Sequence, residues 1–263
     1  APSRARPPST ATTCRHNGRR PYCDHCGMAS TTASNCSMDT LLLHNVFVIS
    51  MPGHAAEPRA VDQFRSLGIG GVTVWPAVAK DVLDLERLRT ASQSVLSRST
   101  HANISVKAFA TALSHRSLHD FIVMNRLPCA LIAEDDTDLL DGVGTRLSSL
   151  LISAPNDFDW IKLLHCSELG RGAVPSASAL PPPQRTSARA GVGNACGGAA
   201  YIVSLAGARL LRAVQTPVWM NADGAMDPQH VRTSLQRAPR CYHSEPPLAY
   251  HNERREAKGS ARV

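Results

Sequence analysis

The sequence predicts a single α/β domain, a mostly parallel sheet with helices on its faces. Short apolar runs of strand length alternate with longer stretches of helical periodicity between residues 41 and 251. The run Cys129-Ala-Leu-Ile-Ala closes on Glu134, Asp135 and Asp136, with Asp138 two residues further on. A buried parallel strand ends in this way at a sheet edge. At 263 residues the chain is long enough for a sizeable core, and no apolar run approaches the roughly 20 residues of a membrane span.

The elements follow in order. Residues 1–40 are rich in Ser, Thr, Pro, Ala and Arg and read as a disordered basic tail, dispensable for folding. Cys14, Cys23, Cys26 and Cys36, with His16 and His25, leave three readings open there: a zinc knuckle, a disulfide-linked segment or an unstructured one. The domain spans 41–252. Residues 41–50 form the first buried strand. A helix over 57–67 turns Val61, Phe64 and Leu67 to one face, and Gly68 stops it. Residues 72–75 are a second strand. A helix over 82–96 carries Val82, Leu85 and Leu88 inward, and one over 106–124 does the same with Val106, Phe109, Leu113 and Phe121. Cys129 and Cys166 sit on or beside apolar strands, where a buried free thiol is ordinary. A helix follows over 139–152 and a strand over 159–164. Residues 170–198 are a long Gly-, Pro- and Ser-rich loop of the kind that serves as a lid. A strand at 199–204 and a helix at 205–214 come next. Asn221-Ala-Asp223-Gly-Ala-Met-Asp227 is a second acidic turn, and the stretch from 241 to 251 is the last element.

Charge narrows the function classes. The net +7 divides as +3 in residues 1–40, +2 in the tail 253–263 and +2 in everything between. The excess therefore sits largely in solvated tails. Aromatic residues make up only 5%, which argues against stacking platforms for single-stranded nucleic acid.

Three adjacent carboxylates repel one another unless a cation or hydrogen bonds compensate them. In open α/β sheets ligands bind at the carboxyl ends of strands. Glu134, Asp135 and Asp136 therefore mark either a Mg²⁺ or Mn²⁺ site completed by a diphosphate, or an acidic turn before the helix that begins near residue 139, and Asp138 reads as the cap of that helix.

Taken together, these motifs resemble family 25 glycosyltransferases, which include lipopolysaccharide sugar transferases and collagen galactosyltransferases. The likeness covers roughly residues 45–251. It runs through Val46-Phe-Val-Ile-Ser50 and Arg59, Ala112-Leu-Ser114-His115, Leu131-Ile-Ala-Glu134-Asp135-Asp136 and Asp159-Trp160-Ile161. It continues through Ala200-Tyr-Ile-Val-Ser204-Leu-Ala-Gly207, the segment 217–223 and Pro246-Pro-Leu-Ala-Tyr-His251. The chain departs from the family at Ala110-Thr111, where Gly-Cys is usual, and by an insertion before Asp223.

The resemblance implies a GT-A-like fold with a mixed sheet. It also implies inverting transfer of a hexose such as galactose from a UDP-sugar to a hydroxyl of a glycan or protein acceptor. Asp136 and Asp135 are the expected ligands of Mn²⁺ or Mg²⁺. Arg59, Ser114, His115 and Glu134 are the expected donor contacts. Asp223 is the expected general base, with Asp227 as its alternate. The expected partners are the nucleotide-sugar donor and the acceptor. The implied location is the ER or Golgi lumen in a eukaryote, and the cytoplasm or a membrane periphery in a bacterium. Two other readings use the same residues: a glycan- or nucleotide-binding relative without turnover, and another metal-dependent phosphate enzyme.

Overall fold

A computed structural model describes residues 36–37, 45–69, 71–83, 105–140, 142–164, 184–185, 198–244 and 247–251, with the backbone alone at 184–185, 250 and 251. Residues Ala33–Val263 belong to one compact unit, and the preceding unit, Ala1–Thr32, lies outside the described residues. No helix among the described residues is long and apolar enough to cross a membrane.

The strands are β1 (Val46–Ser50), β2 (Val72–Pro76), β3 (Cys129–Glu134), β4 (Thr137–Leu139), β5 (Trp160–Lys162), β6 (Gln184–Arg185), β7 (Ala200–Ser204), β8 (Cys241–His243) and β9 (Ala249–His251). Seven of them form one sheet in the order β2-β1-β3-β7-β5-β8-β6. β1 is parallel to β2 and β3, and β5 is parallel to β8, whereas β7 lies antiparallel between β3 and β5, and β6 is antiparallel to β8. Five strands thus share one direction and two oppose it, the mixed, mostly parallel α/β sheet expected. β4 and β9 form a separate antiparallel pair.

The helices are α1 (Glu57–Ser66), α2 (Val106–Met124), α3 (Val143–Ser153), α4 (Leu205–Val214), α5 (Ala222–Ala225) and α6 (Pro228–Leu235). Strand alternation divides the core between the two sheet faces. Val46, Val48, Leu131 and Ile202 pack with Phe64 of α1 and Leu147 of α3. Phe47, Ile132, Tyr201 and Val203 pack with Leu118 and Ile122 of α2, Leu211 of α4 and Val231 of α6.

Local chemistry sets several boundaries. Gly68, at φ +78°, ends the α1 segment in a conformation that strains any residue with a Cβ. Ser204 caps α4 by accepting from Gly207 N–H at 3.0 Å. Gly207 is also where the first turn of α4 lies against β5. A Cβ there would fall on the carbonyl oxygen of Asp159. Gly207→Ala is therefore expected to destabilise the protein by about 3 kcal/mol, the upper range for overpacking. A urea midpoint unchanged from wild type would show that the contact relaxes freely.

Several expectations are corrected. α3 begins at Val143, and the acidic segment before it pairs as β4, so Asp138 does not cap a helix. Val82 ends a short 3-10 turn and is 75% exposed, not inward-facing. The rest of that expected helix lies outside the described residues. The segment 221–227 is not a turn: it forms α5, and Asp227 then caps α6, which the pattern did not predict. In α2 the buried face carries Ser114, His115, Leu118, His119 and Ile122, whereas Val106, Phe109, Leu113 and Phe121 are only half-buried. Within the expected loop 170–198, Gln184–Arg185 is a strand. The remainder, and with it the expected lid, lies outside the described residues up to Gly198.

Cys129 is not a free thiol. It is fully buried and joined to Cys36 by a disulfide. Cys36 is thus tied to the central strand and is not available as a zinc ligand. Cutting the chain at residue 40 would remove a cross-link of the fold, contrary to the expectation that the whole tail is dispensable. Cys14, His16, Cys23, His25 and Cys26 lie outside the described residues.

Candidate active site

The carboxyl ends of β1 and β3 lie side by side, with Ile49 opposite Glu134. Where β3 stops, the chain turns through Asp135 and Asp136 into β4. Asp135 Oδ2 accepts from Ser50 Oγ at 2.6 Å and from His54 Nδ1 at 2.7 Å. Two neighbours thus hold one oxygen of Asp135 in place in this crowded acidic turn. Glu134 N–H donates to Ala199 O at 2.8 Å, and the Thr137 hydroxyl donates to the same oxygen at 2.8 Å.

Because β7 is antiparallel, its amino end meets this edge, bringing Gly198 and Ala199 there. Gly198 N–H donates to Asp223 Oδ1 at 2.7 Å. The absence of a side chain at Gly198 matters, since a Cβ would stand 2.8 Å from that oxygen. Two consecutive residues thus anchor Glu134 on one side and Asp223 on the other. Asp223 sits in the first turn of α5, whose cap, Asn221, accepts from Gly224 N–H at 2.9 Å.

Lys162 closes β5 at the same edge, opposite Tyr201 of β7 and His243 of β8. It is buried. Burial pushes its ammonium below the ordinary lysine range, while the nearby charges of Asp223, Cys241 and Asp227 hold it up. The edge therefore carries a buried lysine as well as carboxylates.

Beneath Glu134, α2 contributes His115 and His119, both buried. Tyr201 Oη lies 3.0 Å from His115 Nδ1 and 2.9 Å from His119 Nε2, and His115 Nε2 lies 3.0 Å from Glu134 Oε1. Desolvation first, then the proximity of His115, lowers His119 to about 3, against a raising interaction with Gln215. Burial, then the charges of Glu134 and Asp223, raises the Tyr201 phenol well above its ordinary range, so it remains an O–H group.

His119 makes stability depend on pH. Its folded value of about 3 lies below the ordinary 6.5, so the unfolded chain takes up the proton first as pH falls. The contribution is complete above 6.5 and is lost progressively between 6.5 and 3. Wild type should lose about 2 kcal/mol more than His119→Gln between pH 7 and pH 5. Equal losses in urea titrations at the two pH values would contradict a neutral buried His119.

The remaining predicted residues fall elsewhere or face inward. Arg59 forms an ion pair with the buried Asp138. Ser114 is buried; its hydroxyl accepts from Val78 N–H at 2.8 Å and donates to Ala110 O at 2.9 Å. Ser114 and His115 therefore have almost no surface to offer a donor. Asp227 Oδ1 accepts from Gln229 N–H at 2.7 Å as the cap of α6. Sequence reasoning missed Lys162, His54, His119 and Tyr201 as members of the edge. Only Lys162 left a signal, a lone lysine inside the apolar run 160–164.

Among the described residues no three His, Cys, Asp or Glu side chains form a metal-holding group. Asp135 and Asp136 are an oxygen-only pair on one turn. That set suits Mg²⁺ or Mn²⁺ arriving with a diphosphate, which needs only one or two protein carboxylates. The chain matches no family model and no curated protein sequence.

Proposed function

We propose that the chain is a glycosyltransferase that moves a hexose from a UDP-sugar to an acceptor hydroxyl with inversion, at the carboxyl edge of its sheet. The observation that carries this reading is the pairing of two acidic groups across Gly198 and Ala199. One is the Glu134–Asp136 turn and the other is Asp223. The motif order that resembles family 25 glycosyltransferases supports the same reading, as does an antiparallel strand set beside the acidic strand in an otherwise largely parallel sheet.

In this mechanism Asp135 and Asp136 would hold Mn²⁺ or Mg²⁺, which when bound offsets the charge gathering on the leaving diphosphate. Asp223 takes the proton of the acceptor hydroxyl as its oxygen bonds to the anomeric carbon and the bond to the diphosphate oxygen breaks. Gly198 N–H fixes Oδ1 of Asp223. Glu134 contacts the donor from the end of β3. Lys162 lies in the field of Asp223 and Asp227.

Calorimetry with UDP tests donor recognition. Binding should require Mn²⁺ or Mg²⁺ and disappear in EDTA. Binding of UDP without turnover of any UDP-sugar would favour a nucleotide-binding relative, and preference for other nucleotides would favour a different phosphate enzyme.

A further inference from the structure

Tyr201 has no counterpart in the mechanism above, although it is fully buried beneath the proposed site. Its hydroxyl lies between two imidazoles, 3.0 Å from His115 Nδ1 and 2.9 Å from His119 Nε2. His115 stacks beside its ring at 5.8 Å between centroids and 24° between planes. The other nitrogen of His115 reaches Glu134 Oε1 at 3.0 Å. The contacts form a line from His119 through Tyr201 and His115 to a carboxylate that is 24% exposed at the sheet edge.

Donor and acceptor accounting gives the line a direction. A phenol has one proton, so Tyr201 donates to one imidazole and accepts from the other. With a carboxylate at Glu134, His115 Nε2 must carry hydrogen. A neutral His115 then has a bare Nδ1, which accepts from Tyr201 O–H, and Tyr201 in turn accepts from His119 Nε2–H. The opposite direction demands hydrogen on both nitrogens of His115, so a neutral imidazole there fixes the first.

We propose that Tyr201 is a positioning residue for Glu134, fixing the His115 imidazole so that its Nε2–H holds the Glu134 carboxylate in place at the end of β3. Outer hydrogen bonds of this kind set the tautomer and orientation of the group that meets the ligand. The proposal deepens the donor-binding reading of Glu134 and rests on it for its functional half, while its structural half stands apart from that reading.

Two measurements on the full chain decide it. Long-range proton–nitrogen NMR of ¹⁵N-histidine-labelled protein should show His115 protonated at Nε2 alone in wild type, and a mixture of tautomers in Tyr201→Phe. An unchanged His115 in the variant would overturn the proposal. Where Tyr201→Phe does not fold, His119→Gln serves, since it removes the contact that orients the Tyr201 hydroxyl. Calorimetry with UDP and Mn²⁺ supplies the second arm. Tyr201→Phe should weaken binding roughly tenfold, with no further loss in a Glu134→Gln background. Additive losses would overturn the assignment of Tyr201 to Glu134. If wild type binds no UDP, the transferase reading falls, and the tautomer result still decides whether Tyr201 orients His115.

Discussion

Replacing Asp223 by Asn is expected to lower kcat by roughly 10²–10⁴-fold, the scale of general acid–base catalysis, with UDP affinity close to wild type. Asn keeps a side-chain oxygen for Gly198 N–H, which Asp223 Oδ1 accepts at 2.7 Å, and loses only the basicity. Asp136→Asn should behave differently. It should weaken Mn²⁺-dependent UDP binding and slow transfer together, because a ligand to the cation serves both the bound diphosphate and its departure. Calorimetry of both variants alongside transfer rates separates the roles. Loss of metal-dependent UDP binding in Asp223→Asn, with retention in Asp136→Asn, would reverse the two assignments.

The second large effect concerns the cross-link. Cys36 and Cys129 are 93 residues apart in sequence, and a bridge closing a loop of that length restricts the unfolded chain strongly. Cys36→Ser should therefore destabilise the protein by about 4–5 kcal/mol on the loop-entropy account. Reduction should lower the unfolding midpoint of wild type but not of the variant. Equal midpoints for oxidised and reduced wild type, with no linked 36–129 peptide by mass spectrometry, would contradict the bond. Such bonds persist in oxidising compartments.

The strands were legible because apolar runs closed by charge or glycine leave few alternatives. β1, β3 and β7 lie within or close to their expected ranges, and their mixed directions form the expected α/β sheet. The face of α2 was not legible. Periodicity assigns polar residues outward, whereas Ser114, His115 and His119 are buried because each finds a hydrogen-bond partner from another segment. The same limit hid Lys162, since nothing local announces that Asp223 and Asp227, about sixty residues downstream, supply its compensating charge. Asp138 was misread for the converse reason. Its ion pair with Arg59 comes from a helix far away in sequence, while the local pattern suggested a cap. The Cys36–Cys129 pairing was equally invisible, because spacing alone cannot select among eight cysteines.

The central claim is that the acidic edge formed by Glu134, Asp135, Asp136 and Asp223 transfers sugar from a nucleotide donor. Incubating the chain with a panel of nucleotide sugars and Mn²⁺, and measuring nucleoside diphosphate release, tests it most directly. The account predicts release from a UDP-hexose that stops with EDTA and falls by roughly 10²–10⁴-fold in Asp223→Asn. No release from any donor, or release equal in wild type and Asp223→Asn, would contradict it.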